Sequence, residues 1–151
     1  MRNGKYVGFV MLVGCLAGCA ANPIQQNLRN QARPLSLTQV TANPEATRGD
    51  TVIWGGRIMN TTNGPYGGQI YVLQLPLRCN DSPKNHEANP AGHFIAISPE
   101  HLDPAAYPPG GLITVAGRVH GVRNEYLHNT LCAFPLVQIK QTHLWTSRGK
   151  D

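Results

Sequence analysis

Between Thr51 and Trp145 the apolar residues fall into five stretches of strand length, separated by segments rich in glycine, proline and asparagine. That punctuation leaves room for strands and turns but not for long helices. Sixteen glycines and 12 prolines in 151 residues carry no collagen-like period, and charged residues make up only 14%. A coiled coil, a long helical bundle and a highly charged disordered chain are therefore excluded. The length allows one domain, or one domain with a tail.

The stretches read as follows. Thr51–Met59 is a strand interrupted by Gly55-Gly56, which marks a bulge or sharp bend of the kind found at barrel corners. Asn60–Gly68 reads as a turn-rich loop, and Gln69–Leu77 as a second strand, apolar on both faces. After a polar loop at 78–91, Gly92–Ile97 is a short third strand. Ser98-Pro99-Glu100 is a helix-start signal, with Pro104 limiting the helix to one or two turns. Within that segment Asp103 suits an Asx turn, and Tyr107 can cover the barrel mouth. In Leu112–His120, Ile113, Val115, Gly117 and Val119 share one face and Thr114, Arg118 and His120 the other. Leu131–Trp145 closes the series, with Val137 and Ile139 on one face.

Strand, strand, strand, short helix, strand, strand is the order of the OB fold. The expected class is all-β: a small five- to six-stranded OB-like barrel with one short helix, a sandwich being the alternative. Its predicted core is Val52, Trp54, Ile70, Val72, Phe94, Ile113, Val115, Val137 and Ile139.

The N-terminus carries a different signal. Arg2 and Lys5 precede thirteen uncharged residues, Tyr6–Gly18. That run is too short to span a hydrocarbon core of about 30 Å, but it has the length of a secretory h-region. It ends in Leu16-Ala17-Gly18-Cys19, which matches the lipobox of bacterial lipoproteins. Cleavage is expected between Gly18 and Cys19, with an acyl or diacylglyceryl lipid joined to Cys19. A rival box, Leu12-Val13-Gly14-Cys15, would leave an apolar run of only eight residues. Two or three acyl chains hold a protein at a bilayer that one chain would release. Ala20 follows Cys19 where lipoproteins kept at the inner membrane commonly carry Asp, so the outer membrane is the expected destination.

The expected organisation is a signal peptide at 1–18, a lipidated N-terminus and polar tether at 19–50, the barrel at 51–146, and a tail at 147–151. In the tether, Asn22–Arg33 has room for one or two helical turns but lacks a good apolar stripe, and Leu35–Val40, with a short alternation at Leu35 and Leu37, is a candidate first edge strand. Outside the signal and lipid site two cysteines remain, Cys79 and Cys132. An oxidising compartment favours one bridge between them, stabilising by roughly 3–4 kcal/mol; two separately buried thiols are the alternative.

Several separated segments resemble the Slp family of outer-membrane lipoproteins. Trp54-Gly55-Gly56-Arg57-Ile58 resembles its W-G-G-x-I, and Gly92-His93-Phe94 its G-R-F. Leu102-Asp103-Pro104-Ala105-Ala106-Tyr107 is similar to L-D-P-x-x-Y, and Phe134-Pro135-Leu136-Val137 to Y-P-V-V. Trp145 stands where the family closes with a tryptophan. The departures are His93 for Arg, Phe134 for Tyr, and a 78–91 loop carrying Cys79 and His86. The resemblance implies a starvation- or stress-induced outer-membrane lipoprotein, facing the periplasm, with no established catalytic activity.

Other chemistry finds little support. Six histidines (His86, His93, His101, His120, His128 and His143) lack H-x-H or H-x-x-x-H spacing. His86, His93 and His101 lie on neighbouring loops and could converge, but solvated loop histidines are the plainer reading, and no metal or cofactor is expected. There is no G-x-S-x-G, and Cys79 with His86 lacks an orienting partner, so no catalytic residue is expected. Removing Arg2 and Lys5 leaves 11 Lys and Arg against 8 Asp and Glu, a net charge of +3 without a cluster. Nucleic acid is accordingly not an expected partner. Membrane lipid is; the alternatives are a peptide, glycan or lipid entering the barrel mouth between the 60–68 and 78–91 loops, and an envelope protein docking on the open sheet edge.

Overall fold

A computed structural model describes residues 22–85 and 91–146. Five strands, β1 (Thr51–Gly64), β2 (Gly67–Leu75), β3 (His93–Ser98), β4 (Leu112–Leu127) and β5 (Thr130–Trp145), close a barrel in the order β1-β2-β3-β5-β4. All pairings are antiparallel except β3 with β5. This is the expected OB-like arrangement.

The interior follows the alternation in the sequence. Val52, Ile70, Val72, Phe94, Ile113, Val115 and Val137 are wholly buried, Trp54 is buried nearly as completely, and Ile139 packs against them while partly exposed. Trp54 meets Phe94 edge to face, with ring centroids 5.4 Å apart. The two glycines of β1 serve close approach: a Cβ on Gly56 would stand 1.8 Å from the Leu73 carbonyl oxygen, and one on Gly55 2.6 Å from that of Ile113. The bulge lies further along, between Ile58 and Asn60.

Two strands run longer than the sequence suggests. Asn60–Gly64, read as loop, continues β1 into a hairpin closed by Pro65-Tyr66. β4 and β5 extend to a two-residue turn, His128-Asn129, where both residues have positive φ (48° and 64°) as a type I′ turn requires. Past Arg118 β4 no longer pairs with β1, and with β5 it continues as a two-stranded arm.

The expected helix between β3 and β4 is absent. Residues 99–111 are bends and turns, because Pro99, Pro104, Pro108 and Pro109 remove amide donors that a helix would use. What remains is one turn, in which Asp103 Oδ1 accepts from the Ala105 amide at 2.9 Å as an Asx turn and Leu102 and Tyr107 pack on the core.

Helices stand instead in the segment read as a tether and edge strand: α1 (Gln26–Gln31), α2 (Leu37–Ala42) and α3 (Pro44–Thr47). α2 starts at a capping box. Ser36 Oγ accepts from the Gln39 amide at 3.1 Å, and Gln39 Oε1 accepts from the Ser36 amide at 2.8 Å. Leu37 and Val40, one turn apart, then join the barrel core, and Leu35 supplies the carbonyl that receives the Trp54 indole N–H at 2.9 Å. Pro44 ends the helix and opens α3. From Asn22 to Asp50 the chain is thus part of the domain, since burying this apolar stripe outweighs its polar composition.

Candidate functional site

The outer faces of β2 and β3 and the inner side of the β4–β5 arm enclose a cleft of about 250 Å³. Strand alternation builds it. Ile70 and Val72 point into the barrel, so Gln69 and Tyr71 point out, beside Ile97 and Ile95 of β3. The parallel register carries both rows onto β5, at Gln138 and Leu136. Phe134 covers the base of the arm, lying 6.2 Å from the Tyr71 ring and 6.0 Å from His93, and with Ile95 it forms a small apolar floor outside the barrel.

A connected polar group stands on this floor beside the cleft, and its members Gln69 and Arg123 line the cleft itself. The Tyr71 hydroxyl donates to Glu125, 3.1 Å from Oε2. Arg123 donates to Gln69 Oε1 at 2.9 Å and to Glu125 Oε1 at 3.2 Å. Burial, and then the negative charge of Glu125, raise the Tyr71 pKa above its usual value. His93 is shifted the other way, because burial disfavours its charged form. The charges of Arg123 and Glu125 meet within the group, so the cleft offers hydrogen-bonding atoms and apolar surface rather than net charge. At its rim Tyr66 is 93% exposed, and His120 and Gln138 complete the wall.

The sequence missed this group because Gln69–Leu77 read as apolar on both faces. The alternation Gln69, Ile70, Tyr71, Val72 was the available signal. Arg123 and Glu125 lie beyond the point where the fourth strand was taken to end.

The residues singled out in the sequence are scattered. Gly18, Cys19 and His86 lie outside the described residues. Cys79 and Cys132 are both unbridged in the structure, which does not show the expected disulfide. Cys79 sits beside Asp81, whose carbonyl accepts from Thr114 near the start of β4, whereas Cys132 pairs with Glu125, eleven residues further along that strand. His93, against Phe134, opens β3, whereas His101 lies beyond its far end, with a ring nitrogen 3.1 Å from the Gly64 carbonyl oxygen. Among the described residues no three His, Cys, Asp or Glu side chains converge on a metal-sized site, and no helix is long and apolar enough to cross a membrane.

Comparison with known proteins fits this chain into a family. The chain is 26% identical over 136 residues to the outer membrane protein Slp of Escherichia coli K12, covering 88% of this chain and 70% of that one. It is 27% identical over 155 aligned positions to an uncharacterized protein of Haemophilus influenzae, covering 97% and 79%. Among solved structures, a small single-stranded DNA-binding protein from Streptomyces coelicolor aligns with a TM-score of 0.42 at 12% identity, over 67% of this chain and 98% of that one. The model of the outer membrane lipoprotein Slp family matches residues 16–151. The chain belongs to that family.

Proposed function

We propose that this protein is held at the periplasmic face of the outer membrane by acyl chains on Cys19, and that it serves envelope maintenance under stress or starvation without catalysing a reaction. The observation that carries the reading is where the family match begins. It starts at Leu16, the first residue of Leu16-Ala17-Gly18-Cys19, and runs to the end of the chain. The thiol of Cys19 would receive the diacylglyceryl group and the peptide bond after Gly18 would then be cut. Intact mass spectrometry of protein extracted from membranes tests this. The expected species begins at Cys19 with acyl mass; one beginning at Met1 without acyl mass overturns the reading. For the physiological role, a deletion strain should lose tolerance to envelope stress and regain it with the wild-type gene but not with Cys19→Ser.

A second reading concerns the cleft. Because Arg123 is already paired with Glu125, it suits an uncharged hydrogen-bonding chain, such as a glycan or peptide segment, better than a polyanion. N-acetylglucosamine oligomers and short neutral peptides, tested separately, should raise the melting temperature if the cleft binds either class. Gln69→Ala should abolish the shift.

A further inference from the structure

The folded domain begins almost at the lipid site, and its first contacts fix one end of the barrel there. The side-chain amide of Gln141 on β5 donates to the Pro23 carbonyl at 2.8 Å, and its Oε1 accepts from the Gln25 amide at 2.8 Å. Between them Ile24 is only 2% exposed. The Asn22 side chain, with its amide turned to match its neighbours, donates to the Cys79 carbonyl at 3.2 Å and accepts from Arg29 at 2.7 Å. Arg29 in turn pairs with Asp81.

Only Ala20 and Ala21 separate Asn22 from Cys19. Three residues of fully extended chain reach at most about 11 Å. A domain of this size has a radius of gyration of about 14 Å. The link is shorter than the half-width of the body it holds, so the barrel cannot swing round on it.

We propose that the end of the barrel formed by Asn22, Arg29, Cys79 and Gln141 rests against the lipid headgroups, and that the tip of the β4–β5 arm faces away from the bilayer. This rests on the reading that Cys19 carries the lipid. The four residues offer no large apolar side chain, so they meet the headgroups rather than the hydrocarbon, and the acyl chains supply the insertion. Gln141 pairs with Ala116, whereas Cys132 pairs with Glu125, nine residues further along β4. That is about 30 Å of ribbon. The exposed side chains of Tyr126, Leu127 and Leu131 at its tip are thereby presented to the aqueous side.

Spin labels read the orientation directly. Cys79, exposed, reports the near end in a Cys132→Ser background, and Thr130→Cys in a Cys79→Ser, Cys132→Ser background reports the tip. The acylated proteins are reconstituted into phosphatidylcholine vesicles carrying a small fraction of nickel-chelating lipid. Nickel at the headgroups should relax the label at position 79 at least several-fold more than the label at position 130. A 12-residue Gly/Ser insertion between Ala20 and Ala21 should bring the two values together, because a flexible chain of that length spans about 18 Å on average. Equal or reversed relaxation in an acylated protein that floats with the vesicles overturns the orientation and leaves the lipid reading standing. A protein without acyl mass that fails to float overturns both.

Discussion

The Trp145 indole N–H donates to the Thr114 hydroxyl at 2.9 Å, tying the last turn of β5 to the start of β4. The hydroxyl donates its own proton to the Asp81 carbonyl at 2.5 Å. One wholly buried side chain thus joins the C-terminal strand to the loop after β2. Thr114→Val keeps the shape and removes the hydroxyl, leaving a buried carbonyl unpaired. The expected loss is about 1–3 kcal/mol in urea unfolding, followed by circular dichroism. In a Trp145→Phe background the same substitution should cost less, since one of its two partners is already gone.

Gly56 and Gly64 lie on the same strand and should respond oppositely to an added methyl. At Gly56 a Cβ would collide with the backbone of Leu73, and neither strand can retreat without breaking the closed ladder. At Gly64 a Cβ meets nothing within 4 Å. Gly56→Ala should abolish soluble folded protein or lower its melting temperature sharply. Gly64→Ala should leave stability within about 0.5 kcal/mol of wild type. Calorimetry on the pair makes the comparison.

The two shifted groups beneath the β4–β5 arm give stability an upper and a lower pH boundary. Burial lowers the His93 pKa from its usual 6.5, so below that value the unfolded chain takes up a proton that the folded chain resists. Stability therefore falls as pH drops below about 6.5, through the folded-state pKa. Tyr71 is raised by burial and by Glu125, so above about 10 the unfolded chain loses a proton that the folded chain retains, and stability falls again. Melting temperatures measured from pH 5 to 8 should decline on the acid side in wild type and decline less in His93→Gln.

The barrel was legible because its interior is written as alternation. Val52 and Trp54, Ile70 and Val72, and Ile113 and Val115 each recur at period two, and the structure buries every one of them. What lay outside the barrel interior was harder to read. The polar run Asn60-Thr-Thr-Asn-Gly64 forms strand because Gly67–Tyr71 pairs with it across the hairpin, a cause that its own polar composition does not carry. The cleft depends on the β4–β5 arm closing over β2 and β3, and its members are 54 residues apart in the chain. α2 could have been found, since Ser36-Leu-Thr-Gln39 is a capping-box pattern. The leucines at alternate positions either side of Ser36, Leu35 and Leu37, favoured a strand reading instead.

The same helix separates a tether from a structural element, and Val40 decides between them. A side chain in a spacer contacts solvent, and trimming it changes nothing. Val40 is fully buried among core residues, and α2 lies beside β4 and β5. It closes a side of the barrel that would otherwise expose Trp54 and its indole N–H, now bonded to Leu35. Val40→Ala should therefore destabilise the domain by about 2 kcal/mol through lost contacts and a residual cavity. Thr38→Ala, on the exposed face of the same helix, should move stability by no more than about 0.5 kcal/mol. Removing residues 20–50 should expose the Leu37 and Val40 site and prevent a cooperative transition. Urea titrations of these variants check the point: if all three unfold at the wild-type midpoint, the segment is a spacer after all.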